Sequence, residues 1–269
     1  EALACLEEAL KIKPGYWMAV GNKGTALHHL RQYREALDCF EEALKIKPKS
    51  TFLLRGKARA LSGLTRFVES LACLEKLLKI NPNDADAIRG KSIALMSLGR
   101  YREALKYSED ILKIKPNFRP AILLKFQALE RLNRNKQLLK DTEEVLAKEP
   151  KDLQGIKYKG IALSNMNKPK KALACVEEAL RIKPNDASTL MFQHEILTKA
   201  KKIPEALECI EKLIKIRPDY WLYKCLKGLS LCLNKEAEKG KECFEEVLAK
   251  EPENVEAIRG KGMALSLLD

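Results

Sequence analysis

Histidine and cysteine are the side chains best equipped for acid–base, nucleophilic or metal chemistry, and this chain carries three of the first and eight of the second. Their placement argues against all three uses. His28 and His29 are adjacent, so on a helix they point to different faces, while His194 has no partner assignable from its spacing. Cys5, Cys39, Cys73, Cys175, Cys209 and Cys243 share one column of a 34-residue period. Stacked helices lie about 10 Å apart, beyond the roughly 7 Å reach of a disulfide, so these are expected to be free, half-buried packing thiols. Cys225 and Cys232 lie outside the column, two turns apart on one helix and too far for a mutual bond. No Cys-x-x-Cys or Cys/His pair has zinc spacing, and no glycine-rich loop is built to cradle phosphate. Acidic pairs such as Glu41-Glu42 and Glu177-Glu178 sit on solvated helix faces, where two carboxylates do not flank a substrate. The sequence offers no catalytic residue, no metal site and no cofactor, and the chain reads as a non-enzyme.

The elements that carry these residues are set by repetition. Proline stands at 14, 48, 82, 116, 150, 184, 218 and 252, always 34 residues apart. Counting back from the prolines gives a partial repeat over 1–16 and full repeats over 17–50, 51–84, 85–118, 119–152, 153–186, 187–220 and 221–254. A second partial repeat covers 255–269. Each repeat holds two helical stripes. In the first full repeat Val20, Gly24 and Leu27, with Ala26 and Leu30 beside them, make one; Tyr33, Ala36, Leu37, Phe40, Ala43 and Leu44 make the other. Between them Gly99, Asn133 and Asn167 occupy a column suited to a left-handed helix end, and Pro169 and Pro204 open the second helix where a proline loses no hydrogen bond. Ser50, Asp84, Asp152, Asp186 and Asn254 are placed to cap the next first helix.

The spacing of Gly24, Leu27, Ala36, Phe40, Ala43 and Pro48, repeated by Gly160, Leu163, Ala172, Val176, Ala179 and Pro184, resembles the signature of the tetratricopeptide repeat over the whole chain. The resemblance implies an all-α fold, a right-handed α-solenoid of antiparallel helix pairs with about 16 helices in a single array. First helices would line a concave groove and second helices the outer wall. Phe126 and His194 put bulk where the signature has a small residue, and Leu138 and Gly240 replace its alanine; crossing distances are expected to differ there, with 119–152 the least regular repeat. The chain starts inside a second helix and stops inside a first one, without a polar capping helix. That predicts an excerpt of a longer protein, or ends covered by end-to-end packing or other partners.

Two columns are nearly invariant along the chain. Lysine recurs at 23, 57, 91, 125, 159, 227 and 261, broken by Gln193, and glutamate at 7, 41, 75, 109, 143, 177, 211 and 245. The lysines project from an apolar face and need a carboxylate for their heads, so a ladder of Lys–Glu pairs within about 4 Å is expected between adjacent helices.

The columns beginning at Met18, Gly21, Asn22, Thr25 and His28 vary instead, as a recognition surface would, and the resemblance places them on the concave wall. They gather Phe52, Arg55, Arg59 and Arg89 early; Leu123, Lys157, Tyr158, Met191, Phe192 and Leu226 later; and Arg259 near the end. Such anchors suit a protein or peptide segment with apolar and acidic side chains. The carboxylate clamp of some tetratricopeptide co-chaperones does not fit, because Phe52 and Gly56 stand where it needs polar groups.

The expected function is a protein–protein interaction scaffold. Lysine plus arginine, at 50 against 37 acidic residues, also admits nucleic acid (RNA) binding. Aromatics at 6% and the interspersed Asp86, Glu130, Glu195 and Glu256 weigh against a basic track. A third alternative is the targeting arm of a larger enzyme. With 46% apolar residues but no long apolar stretch or leader, the chain is expected to fold as a soluble protein in the cytoplasm, off the membrane.

Overall fold

The computed structural model describes residues 2–268, and every regular element among them is an α-helix. The chain divides into two compact units, Glu1–Leu132 and Asn133–Asp269. The first holds α1 (Ala2–Ile12), α2 (Trp17–His29), α3 (Tyr33–Ile46), α4 (Thr51–Gly63), α5 (Phe67–Ile80), α6 (Ala85–Ser97), α7 (Tyr101–Ile114) and α8 (Arg119–Arg131). The second holds α9 (Asn135–Lys148), α10 (Leu153–Asn165), α11 (Pro169–Ile182), α12 (Ala187–Lys199), α13 (Ile203–Ile216), α14 (Trp221–Leu233), α15 (Ala237–Lys250) and α16 (Val255–Ser266).

Short polar devices start and stop these helices. The side chains of Ser50, Asp84, Asp152, Asp186 and Asn254 accept from backbone N–H groups two or three residues on, at 2.9–3.4 Å. At the other end, seven residues in one column take positive φ: Arg31, Thr65, Gly99, Asn133, Asn167, Lys201 and Lys235. After α4 this makes a Schellman turn, in which Arg66 N–H donates to the Leu61 carbonyl at 2.9 Å and Thr65 N–H to that of Ser62 at 3.0 Å. Four of the seven are neither glycine nor asparagine, so the turn is held by its bonds and by hairpin packing against the left-handed penalty.

Hairpins pair as the apolar stripes require. In the first unit α2 packs on α3, and α4 on α5; in the second, α10 pairs with α11, α12 with α13, and α14 with α15. Phe40 and Phe244, at 1% and 0% exposure, each sit between two glycines: Phe40 between Gly24 and Gly56, Phe244 between Gly228 and Gly260. Fully burying such a ring contributes about 1.5–3 kcal/mol. Across α14 and α15, Gly240 faces Gly228 so closely that a Cβ on Gly240 would lie 2.8 Å from the Gly228 carbonyl oxygen. This is the close crossing that a glycine in the alanine column allows.

Bulk at His194 is accommodated differently. The ring is buried, its Nε2 hydrogen-bonded at 3.0 Å to the small Ser230 on α14. In the first unit the loosened hairpin is 85–118, because α7 packs more extensively on α8 than on α6. Tyr107 occupies the cysteine column there, and Lys91 lies 4.6 Å from its ring centroid. The repeat that sequence pointed to as least regular, 119–152, is divided between the two units.

The expected ladder is present. Lys23 pairs with Glu7 at 2.9 Å, Lys57 with Glu41 at 2.7 Å and Lys91 with Glu75 at 3.0 Å. In the second unit Lys159 pairs with Glu143 at 3.6 Å, Lys227 with Glu211 at 3.4 Å and Lys261 with Glu245 at 2.8 Å. Each lysine reaches back from a first helix to the second helix of the preceding repeat. At Gln193, the one break in the lysine column, the side-chain oxygen is buried without a hydrogen bond.

Candidate partner-binding surface

In the first unit α2 touches α4 and α4 touches α6, so three successive first helices form one wall. A cleft of about 380 Å³ opens along it, lined by His28 of α2, Arg55 and Arg59 of α4, and Asp86, Arg89 and Ile93 of α6. A smaller one of about 120 Å³ adjoins it, where Phe52 joins His28, Arg55 and Arg59. Four of the residues expected on the groove are thus brought together: Phe52, Arg55, Arg59 and Arg89.

Their charges are partly neutralised. Arg55 pairs with Asp84, the cap of α6, and Arg89 with Asp86 at 2.9 Å. Burial pushes the Asp84 carboxyl up, but the Ala87 N–H and the Arg55 guanidinium outweigh it and hold the group below the usual carboxylate range. Among the described residues Arg59 has no ion-pair partner. Burial first, then the Arg59 and His29 charges, holds the His28 imidazole below its ordinary value and so favours its neutral form. The ring also meets Tyr33 edge-on, with centroids 5.2 Å apart.

Elsewhere the expected residues do more structural work. Lys157 pairs with Asp186 at 3.0 Å, completing the cap of α12. Burial raises that carboxyl, but bonds from Thr189, Ser188, Lys157 and Lys183 outweigh it and hold it far below the usual carboxylate range. Met191 and Leu226 pack against the buried cluster of Leu190, Ile210, Leu213 and Tyr223, and Phe192 packs over Gly160. Leu123 and Tyr158 are half-buried on α8 and α10, and Arg259 is exposed and paired with Glu256 at 2.5 Å. Spacing missed Tyr33 in the cleft wall, whereas Ile93 falls in the expected groove column of Thr25 and Arg59 without having been singled out. Tyr33 leans over Gly63, where a Cβ would stand 2.7 Å from its ring, so Gly63 was the available signal.

The cleft joins an aromatic, an exposed isoleucine and three guanidinium groups. Among the described residues no group of three His, Cys, Asp or Glu side chains converges to hold a metal. All eight cysteines are free thiols. Burial pushes those of Cys73, Cys175 and Cys209 up, and that of Cys225 up to about 11, the direction opposite to activation.

Family models settle the kinship. The tetratricopeptide repeat matches over residues 19–50 and again over 55–117, and the N-terminal TPR repeats region of Psidin over 93–199. The chain belongs to the tetratricopeptide-repeat family. Similar solved structures include a tetratricopeptide repeat protein from Parabacteroides merdae, 18% identical with a TM-score of 0.71 over 85% of this chain and 91% of that one. Yeast Tom70 is 16% identical with a TM-score of 0.74, over 98% of this chain and 57% of its own. YrrB, described as a TPR protein with an unusual peptide-binding site, is 17% identical with a TM-score of 0.53, over 70% of this chain and 97% of that one. At these identities the likeness is one of fold. No curated protein sequence matches the chain. The tetratricopeptide assignment makes a protein-interaction scaffold the general expectation for this array, and no helix among the described residues is long and apolar enough to cross a membrane.

Proposed function

We propose that this tetratricopeptide array is a non-catalytic scaffold of the cytoplasm that holds a segment of a partner protein against the exposed faces of its first helices. The repeats starting at 17, 51, 85, 119, 153, 187 and 221 are read as one array, and the wall of α2, α4 and α6 as its principal contact. The observation that carries the reading is the cleft of about 380 Å³ on that wall, where exposed Ile93 and, beside it, Phe52 stand among Arg55, Arg59 and Arg89. Aromatic and aliphatic anchors beside arginine are the side chains that dominate binding energy at protein interfaces. The peptide-binding site in YrrB's description agrees with such a use of the fold. A segment of mixed apolar and acidic character fits, and Leu123, Lys157, Tyr158, Met191, Phe192, Leu226 and Arg259 would extend its contacts in the other repeats.

Display of random dodecapeptides against the intact chain tests this. Enriched sequences are expected to lose binding at least tenfold in Phe52→Glu and in Arg89→Glu, both at exposed positions, with unchanged far-ultraviolet dichroism as the check on folding. Absence of any enriched peptide, or peptides indifferent to both variants, removes the reading. A titration with random-sequence RNA separates the nucleic-acid alternative: micromolar or tighter binding at physiological salt would replace the scaffold.

A further inference from the structure

We propose that the cleft between α2, α4 and α6 receives one side-chain carboxylate of the bound segment, a glutamate or aspartate within its length. The inference rests on the scaffold reading and names what that surface selects.

Charge balance carries it. Arg55, Arg59 and Arg89 line the cleft; Asp84 neutralises the first and Asp86 the third. Burial, with the Arg59 charge after it, holds the His28 imidazole below its ordinary value and so favours its neutral form. One guanidinium, that of Arg59, is left without a counter-ion among the described residues. A single carboxylate closes the balance, whereas a phosphate dianion would leave the cleft negative beside Asp86.

A second observation points the same way. The Nε–H of Arg55, a residue lining both clefts, is buried with no acceptor. Buried donors are nearly always satisfied by protein or water, so this one is free to take an acceptor from the cleft if the Arg55 side chain, 32% exposed, turns to meet it. A carboxylate brings two oxygens, enough to accept from Arg55 and Arg59 together. Leu74 and Ile93 supply an apolar wall for the methylenes of the incoming side chain. Gly63 and Gly90, also in the lining, let Tyr33 and Leu74 pack closely against α4 and α6.

The test uses three fluorescein-labelled nonapeptide pools with Glu, Gln or phosphoserine at the centre and Ala, Leu, Phe and Ser mixed elsewhere. All are acetylated and amidated, so only a side chain can bring the charge. Anisotropy titrations of the full chain at about 0.1 M salt, where exposed charges more than about 10 Å apart are screened, compare them. The Glu pool is expected to bind at least tenfold tighter than the Gln pool. Arg59→Gln should shrink that ratio to within twofold, and Arg59→Lys, which keeps the charge, should retain most of it. Both variants are checked for unchanged far-ultraviolet dichroism. Binding of all pools without preference for Glu overturns the inference and spares the scaffold reading, as does a phosphoserine pool that binds tighter than Glu. No binding by any pool up to millimolar protein removes the scaffold reading and this inference with it.

Discussion

Replacing Gly56 by alanine probes the packing rule on which the repeat stack rests. An added Cβ would lie 2.3, 2.4 and 2.8 Å from three atoms of the Phe40 ring, where carbon atoms settle at about 3.5–4.0 Å. The ring would have to retreat by about 1 Å. It has nowhere to go, being 1% exposed, with the Cβ site of Gly24 only 3.1 Å from its Cζ. Such overpacking costs about 1–3 kcal/mol. Alanine returns about 0.5–1 kcal/mol of helix propensity. The net loss is about 0.5–2 kcal/mol, which at a urea slope of about 2 kcal/mol/M lowers the midpoint by about 0.25–1 M. Gly262→Ala is the control, because nothing lies within 4 Å of that Cβ site and only the propensity gain remains. Urea unfolding followed by far-ultraviolet dichroism should move the two midpoints in opposite directions. Adding Phe40→Leu to Gly56→Ala should recover part of the loss, although Phe40→Leu alone destabilises. If Gly56→Ala raised the midpoint as Gly262→Ala does, the slotting of rings between glycines would not be what sets helix approach.

Three further outcomes are expected. Thr65, β-branched at φ 58°, carries a left-handed penalty that Thr65→Gly removes, so thermal unfolding should show a gain of about 1 kcal/mol; a loss would mean that its hydroxyl bond to the Leu64 carbonyl matters more. A double-mutant cycle on Lys57 and Glu41, paired at 2.7 Å on a partly exposed rung, should give a coupling of about 0.2–1 kcal/mol that fades in molar salt; a salt-independent coupling would point to packing of the lysine stem instead. Burial holds His194 below its ordinary 6.5, so the unfolded chain takes up the proton first. Relative to His194→Gln, stability should be level above about pH 6.5 and fall below it by up to about 1.4 kcal/mol per pH unit, until the folded imidazole titrates; parallel profiles would contradict the buried neutral ring.

What the sequence made legible was whatever one residue type announces in its own column. Proline stops, serine and aspartate caps and the Lys–Glu rungs each depend on a single side chain reaching a backbone group or one partner at a fixed offset, so a 34-residue period displays them. The left-handed turn was legible only where glycine or asparagine marks it. Arg31, Thr65, Lys201 and Lys235 adopt the same conformation because the turn's hydrogen bonds impose it, whatever residue is there. The cleft was hidden for a different reason: it depends on differences between positions in separate repeats. Arg55 reads as a free groove cation until Asp84, 29 residues on, is seen to claim it, and Lys157 stands in the same relation to Asp186. Where the first position is not basic, as at Gly21 and Leu123, the offset yields no ion pair, so neither column predicts the pair alone. Volume behaves likewise. Phe126 seemed an intrusion into a small-residue column, yet it is fully buried, and the helix that packs on it, α7, carries Ser108 where other repeats carry Phe40 or Phe244. Large and small have changed places across one interface. The free Arg59 that the proposed carboxylate would meet is likewise a remainder, left over once the pairs on either side are formed.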